Sequence, residues 1–307
     1  MSARLAPVPV LPLAAAARPM LKTAVSLLAV LALTGCQSQP EILTSAPEIA
    51  TTAPATADAA EKAPATPLWS SNFQDPDWLS QWEPRQSKSW GLDNIERLAP
   101  ASGPFGQVLR VRYPAGSASP SVSRQTGAPL GGAQFYADLF LPGSSALKLS
   151  YYVRFAKGFD FVKGGKLPGV FGGKGASGGK IPNGTDGFSV RLMWREQGQG
   201  ELYAYLPTSE RYGTSIARGA WRFEPGIWYR LEQEVRLNRP DGNDGEMRLW
   251  VNDRLVIDQG GLVFRTDDGL QIDGIFFSTF FGGGDPSWAT PQDTYIEFAD
   301  FSVTAVD

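Results

Sequence analysis

Hydrophobic and polar residues alternate with a period of two along most of the chain from Leu68 onward. The clearest runs are LKLSYYVRF (147–155), FSVRLMW (188–194), ELYAYL (201–206), RLEQEVRLN (230–238), MRLWVN (247–252), GIFFSTFF (274–281) and YIEFADFSV (295–303). This alternation places successive side chains on opposite faces of a β-strand, and turn sequences such as PDGNDG (240–245) separate the runs. No helical stripe of comparable strength appears. The pattern predicts one all-β domain over residues 68–307, an antiparallel β-sandwich of the jelly-roll type.

The N-terminal segment has a different character. An apolar run of ten residues (24–33) follows Lys22 and ends just before Cys36, the single cysteine of the chain. Ten residues are too few to span a bilayer, which needs about 20, so residues 1–36 are interpreted as an export signal peptide. The sequence LTGC (33–36) resembles the lipobox of bacterial lipoproteins. That resemblance implies acylation of Cys36 and a lipid-anchored protein of the bacterial cell envelope, with the outer membrane as the expected membrane.

Residues 37–67 are rich in Ala, Thr and Pro and contain no aromatic residue. A segment of this composition cannot bury enough apolar surface to offset the loss of conformational entropy on ordering. We therefore predict a disordered tether between the signal peptide and the β-domain.

The charge of the chain is unevenly distributed. The three basic residues of the signal peptide leave 25 basic residues from a total of 28, against 31 acidic residues. Residues 154–195 nevertheless hold eight basic residues and only two acidic ones. Such a region is either an ordinary solvated surface or a cleft for a polyanion. The chain has no histidine, so an N/S-ligated metal site is not expected, and we predict no cofactor.

Two of the predicted strands project polar groups from one side. In FSVRLMW the side chains of Ser189 and Arg191 lie opposite to the apolar set, and in ELYAYL the same holds for Tyr203 and Tyr205. If the two strands pair across the turn near residues 197–200, all four groups share one sheet face. Each residue alone is more often a packing or solvent-facing residue. The set beside a glycine-rich, lysine-containing segment predicts a site.

At this point the sequence resembles polysaccharide lyase family 14, the alginate and glucuronan lyases with a concanavalin-like β-jelly-roll fold. The residues that carry the resemblance are FVKGGKLPG (161–169), KIPNGTDGFSVRLMWR (180–195), YAYLP (203–207), YGTSIARGAWRF (212–223) and FFSTFFGGGDPSWATPQDTY (276–295). The resemblance implies a catalytic set of Lys166, Arg191, Tyr203 and Tyr205. Ser189 would contribute hydrogen bonding to the substrate. Which lysine of the loop is catalytic stays open, because Lys163 and Lys174 are close to Lys166.

The chemistry explains why these residue types are needed. β-Elimination from a uronate requires neutralisation of the carboxylate, removal of the α-proton and protonation of the departing glycosidic oxygen. Arg191 suits the first role, because its planar fork binds a carboxylate bidentately. Tyr203 or Tyr205 could serve as base, acid or both once a nearby cation lowers its pKa, and which tyrosine is acid and which is base stays open. Lys166 would either take the proton, with its pKa lowered by Arg191 and by partial burial, or hold the sugar as a cation. We expect Lys174, Lys180 and Trp288 to bind the same anionic polysaccharide.

Two other functions are compatible with parts of the sequence. A non-catalytic jelly-roll lipoprotein would also present cations and Trp288 to an acidic polysaccharide. A glycoside hydrolase would need two carboxylates flanking the bond, and Glu232 and Glu234 form a same-face pair on one predicted strand. The expected partners are an anionic polysaccharide and a membrane, with no nucleic acid, and we expect the protein to be a monomer.

Overall fold

The computed structural model describes residues 66–101, 103–139, 141 and 143–306. The predicted signal peptide, Cys36 and the tether up to residue 65 lie outside the described residues. Within the described part of the chain, no helix is both long and apolar enough to cross a membrane.

The described residues form a β-sandwich with fourteen strands. The strands are, in chain order, β1 (Trp69–Ser71), β2 (Ile95–Leu98), β3 (Val108–Tyr113), β4 (Ala133–Asp138), β5 (Ala146–Phe155), β6 (Gly164–Gly173), β7 (Gly187–Arg195), β8 (Gly200–Tyr205), β9 (Thr214–Ile216), β10 (Trp228–Arg236), β11 (Gly245–Val251), β12 (Arg254–Leu262), β13 (Gly274–Thr279) and β14 (Thr294–Ala305). The α-helix α1 covers Pro120–Thr126. Short 3-10 helices cover Ser80–Trp82, Gln86–Lys88, Leu92–Asn94, Glu196–Gly198 and Pro286–Trp288.

The strands form two antiparallel sheets. The larger sheet has the order β12-β11-β10-β5-β14-β3-β2, and β1 pairs with the C-terminal half of β14. The smaller sheet has the order β4-β13-β6-β7-β8-β9. The predicted all-β jelly-roll fold is confirmed, and all seven alternating runs coincide with strands to within a few residues.

The core lies between the two sheets and is rich in aromatic rings. In β5 every second residue is buried, from Leu147 to Phe155, as the alternation requires. The rings of Tyr151 and Phe301 stack with centroids 4.7 Å apart, and the fully buried Trp82 packs edge-on against Phe301. Because this core fixes one face of each sheet, the other face of the smaller sheet is free to form a site.

Candidate active site

The site lies on the outer face of strands β6, β7 and β8. The register places Arg191 opposite Tyr203 and Ser189 opposite Tyr205, and Lys166 lies opposite Met193. The prediction that β7 and β8 pair as a hairpin with their polar groups on one face is therefore confirmed.

Lys166 reaches this face because of a β-bulge at Pro168. Gly169 lies opposite Arg191, but Leu167 lies opposite Leu192, so Pro168 is an extra residue in β6. A regular continuation from Gly169 would instead place Lys166 opposite Trp194, which points into the core. A proline suits the bulge because it has no N–H to contribute to the ladder.

The glycine-rich segment is a strand rather than the predicted loop. Its glycines serve close packing, because a Cβ added at Gly165 would lie 2.1 Å from the Trp194 ring. A Cβ at Gly169 would lie 1.9 Å from the carbonyl oxygen of Val190 on β7. The absent side chains thus bring β6 close enough to β7 to carry Lys166 beside Arg191.

Arg191 is a buried cation without an anionic partner. The residue is only 2% exposed, and its Nη1 donates a hydrogen bond to Ser278 Oγ at 3.1 Å. Its guanidinium carbon lies 4.5 Å from the centroid of the Phe276 ring, and its Nε has no hydrogen-bond partner. No carboxylate among the described residues forms an ion pair with it, and burial lowers the pKa of the Arg191 guanidinium. An unpaired buried charge is costly, so this arrangement favours binding of an anion.

Lys166 lies next to Tyr203 on the cleft face. Its Nζ is 3.8 Å from the centroid of the Tyr203 ring and also contacts the sulfur of Met193. Burial, and then the positive charges of Arg191 and Arg195, hold the pKa of Lys166 well below its usual range. A lysine in this environment is more readily neutral and therefore more readily a base.

The two tyrosines differ in their surroundings. Their rings meet edge to face with centroids 5.7 Å apart, and the hydroxyl of the buried Tyr205 accepts a hydrogen bond from the Gly179 N–H at 3.0 Å. Burial first, and the neighbouring Tyr205 second, raise the pKa of Tyr203. Arg191 and Arg195 act to lower the pKa of Tyr203, as expected, but the cost of burying a phenolate outweighs them, so the expected net lowering of this pKa is wrong.

These groups line a cleft of about 730 Å³. Its walls include Lys166, Arg191, Tyr203, Tyr205 and Trp288, five of the residues singled out in the sequence. The helix α1, the segment between β13 and β14, and the loop after β6 contribute further walls, together with Trp90, Gln134 and Tyr212.

Three predicted substrate-binding residues do not line the cleft. Ser189 is buried, and its Oγ donates a hydrogen bond to the Ala176 carbonyl at 2.6 Å, so it holds the loop that ends β6. Lys174 and Lys180 are exposed on that loop, where their charges lie near Lys88. Neither lysine is among the residues that line the cleft, whereas Ser177 and Gly178 of the same loop are.

The sequence also contains site residues that were not predicted. Glu201 is fully buried and accepts hydrogen bonds from Arg195, Ser215 and Arg218. It precedes Tyr203 by two positions on β8, so strand alternation alone would have placed it on the cleft face. Ser278 comes from β13, and only the tertiary fold brings it to Arg191.

The carboxylate pair considered for a hydrolase lies elsewhere. Glu232 and Glu234 are on β10 of the larger sheet, away from the cleft, and both form ion pairs: Glu232 with Arg230, and Glu234 with Arg236 and Arg248. They do not flank a substrate site. Among the described residues, no group of three His, Cys, Asp or Glu side chains is arranged to hold a metal ion.

The fold and the site together define a jelly-roll protein with a cationic lysine–tyrosine cleft. Comparisons with known proteins identify the family to which this chain belongs. The family model Polysaccharide lyase 14 matches residues 102–301. The crystal structure of the marine PL-14 alginate lyase from Aplysia kurodai is 32% identical and covers 79% of this chain and 100% of that chain, with a TM-score of 0.67. The chain therefore belongs to polysaccharide lyase family 14, and it is a polysaccharide lyase.

More distant structures share the fold. The alginate lyase vAL-1 from Chlorella virus is 23% identical, covers 78% of this chain and 100% of that chain, and has a TM-score of 0.63. The endo-β-1,4-glucuronan lyase from the fungus Trichoderma reesei is 10% identical, covers 78% and 96%, and has a TM-score of 0.52. A search of curated proteins found no match. The family assignment disfavours the alternative of a non-catalytic binding protein.

Proposed function

We propose that this protein depolymerises a uronic-acid polysaccharide, alginate or a polyglucuronate, by β-elimination. The observation that carries the proposal is the buried, unpaired guanidinium of Arg191 in the cleft beside Lys166. A uronate carboxylate would supply the missing negative charge. Once bound there, the same fork stabilises the enediolate-like charge that develops when the α-proton leaves.

Lys166 acts as the base in this proposal. Its lowered pKa makes the neutral amine accessible, and the amine takes the proton from the carbon next to the carboxylate. The electron pair of that C–H bond forms the carbon–carbon double bond of the product. As the double bond forms, the bond between the β-carbon and the glycosidic oxygen breaks, and its electron pair stays with that oxygen.

Tyr203 acts as the acid that protonates the departing oxygen. Its raised pKa keeps the hydroxyl protonated, and it lies against Lys166. Two titrating groups whose environments push their pKa values apart are suited to opposite roles in proton transfer. Tyr205 is more deeply buried and is held by Gly179, so we assign it to orienting Tyr203 and the substrate.

The experiment is a panel of polymannuronate, polyguluronate and polyglucuronate incubated with the full chain. Cleavage by elimination forms a conjugated uronate that absorbs ultraviolet light. Arg191→Lys should lose about 100-fold in rate, because a point charge cannot reproduce the bidentate geometry. The matched control is Arg248→Lys, which changes an arginine that is ion-paired on the other sheet. No absorbance change on any polymer, or equal effects of the two variants, would contradict the proposal.

We also propose that the protein is anchored in the bacterial cell envelope through an acylated Cys36. The support is the sequence alone, since this region lies outside the described residues. Several acyl chains give stable anchoring where one chain does not. Wild-type protein expressed in bacteria should sediment with membranes, and Cys36→Ser should become soluble. An identical distribution of the two proteins would refute the anchor.

A further inference from the structure

A second pocket adjoins the cleft. The side chains of Arg195 and Trp288 line both, so the two spaces are neighbours on the same surface. The second pocket has a volume of about 330 Å³. Its remaining walls are formed by Lys163, Glu196, Gln197, Gln199 and Arg218.

Three of the side chains that line the pocket are cations and one is a carboxylate. Arg195 and Arg218 both bond to the buried carboxylate of Glu201, with N–O distances of 2.5 and 2.7 Å. One carboxylate thus serves two guanidinium groups, and Arg218 keeps half of its side chain exposed. The amine of Lys163 donates to the neutral hydroxyl of Ser287 at 2.5 Å. Ser287 in turn bonds to the exposed Asp285, and Glu196 is the one carboxylate in the walls themselves. The half-exposed Arg218 is therefore the cation best placed to meet a carboxylate from solution.

The backbone on two sides of this pocket is strained. Val162, which precedes Lys163, has φ 47°, and Gln197 has φ 57°. A left-handed conformation is unfavourable for any side chain other than glycine and especially so for a β-branched valine. Such strain persists where the fold enforces it, and it concentrates at binding and catalytic sites.

The pocket walls match the chemistry of an acidic sugar. The cations suit a carboxylate, the side-chain amides of Gln197 and Gln199 can both donate to and accept from hydroxyl groups, and the Trp288 indole offers an apolar face for a sugar ring. The pocket also continues the cleft in which the reaction takes place.

We propose that this pocket is a second carboxylate subsite, which binds a uronate unit of the polymer remote from the scissile bond. The inference rests on the proposed function and extends it. The subsite makes the enzyme favour long chains over short ones, because only a long chain fills the cleft and the pocket together. Binding energy gained at such a remote unit is available to align the chain for reaction.

The test compares the wild type with Lys163→Gln/Arg218→Gln on a ladder of oligouronates of increasing length. The measured quantities are kcat/KM and the dissociation constant for each length. For long chains the variant should show a kcat/KM about tenfold lower and a dissociation constant about tenfold higher, as expected when two partly exposed ion pairs with the substrate are lost. Both quantities should be unchanged for the shortest oligomer that is cleaved. The control is Lys157→Gln/Arg254→Gln, which removes two exposed positive charges that do not line either space.

The possible results separate the subsite from the proposed function. A wild type that cleaves no polyuronate would refute the proposed function, and the dissociation constants would still show whether long chains use the pocket. Active enzyme with an equal loss at every length, or with no loss at any length, would refute the subsite. A control variant that reproduces the length-dependent loss would assign the effect to overall charge and also refute it.

Discussion

Two buried charges, one on the outer face of each sheet, differ in whether the protein supplies a partner. On the larger sheet the buried carboxylate of Glu297 pairs with Arg110 at 2.7 Å and Arg154 at 2.6 Å, and Glu234 on β10 pairs with Arg248. On the smaller sheet Arg191 is equally buried, yet no described carboxylate pairs with it. The first arrangement is closed within the protein, and the second leaves a guanidinium with which the carboxylate of the proposed substrate would pair.

This difference separates structural charges from functional ones. Removing one partner of a buried ion pair is strongly destabilising because it leaves an uncompensated charge, and a charge that is unpaired in the fold lowers stability as long as no ligand is bound. Proteins retain such a cost at sites where function requires it. Both sheets use arginine. What separates a structural arginine from a functional one here is whether a carboxylate of the protein pairs with it.

The largest expected effect comes from the lysine on the cleft face. Lys166→Ala should lower kcat about 1,000-fold while binding of the polymer changes little, because it removes the base and leaves Arg191 in place. The matched control is Lys148→Ala, which removes a lysine that lies near Glu234 and over the Trp250 ring on the larger sheet. Loss of rate in both variants, or in neither, would break the comparison between the sheets.

Strand alternation predicted the fold and most of the site. It found β7 and β8, and it placed Arg191 and Tyr203 on one face, because a period of two is a local property of the chain. The family resemblance pointed to Lys166 but left Lys163 and Lys174 open. Alternation alone would have misplaced Lys166, because the bulge at Pro168 reverses the side on which the residues before it point.

The rest of the site depends on tertiary structure. Whether Arg191 has an anionic partner is decided by strands far away in sequence, such as β13 with Ser278. The pKa of Tyr203 depends on how deeply the folded cleft buries it, and burial is not visible from the neighbouring residues. Lys174 and Lys180 were predicted from charge alone, which does not show where a side chain points.

The next prediction compares the stability of the two sheets directly. Glu297→Gln should lower the free energy of unfolding by about 3 kcal/mol, since it breaks a buried ion pair. Arg191→Met should instead raise it by about 1 kcal/mol, because an unpaired buried charge is replaced by an apolar chain. Urea unfolding of both variants without ligand measures this. A loss in Arg191→Met as large as that in Glu297→Gln would show that Arg191 is already satisfied.

A smaller effect is expected from the core side of the site. The hydroxyl of the fully buried Tyr151, on the larger sheet, donates to the Pro168 carbonyl at 2.9 Å and so holds the bulge that aims Lys166. Tyr151→Phe keeps the ring and removes this bond. We expect kcat to fall about tenfold with KM unchanged, because the base is displaced and the substrate-binding groups are not.

The control for this variant is Tyr113→Phe. Tyr113 is also buried, and its hydroxyl bonds with Thr279 Oγ1, away from the bulge. The Tyr113→Phe variant should have a lower free energy of unfolding and an unchanged kcat. Equal kcat values for the two variants would show that Tyr151 contributes only to folding.

The smallest expected effect is a shift in the pH dependence of kcat. The charged or titrating groups that face Lys166 are Arg191, Arg195, Glu201 and Tyr203. Because the pKa of Lys166 is lowered by burial and by these cations, the rate should rise with pH at values below the ordinary lysine pKa of about 10.4. The raised pKa of Tyr203 keeps the acid protonated over the same range, so the maximum lies on the alkaline side of neutrality.

The sign of the shift distinguishes the neighbours of Lys166. Arg195→Gln removes a positive charge, which raises the pKa of Lys166 and moves the rising limb to higher pH by about half a unit. Glu201→Gln removes a negative charge and frees Arg195, so the limb should move by a similar amount to lower pH. Neither residue is assigned a proton in the reaction. Opposite shifts place the titrating base within reach of both charges, as Lys166 is, whereas a limb that neither variant moves, or a maximum near pH 5, would show that Lys166 is not the group that titrates.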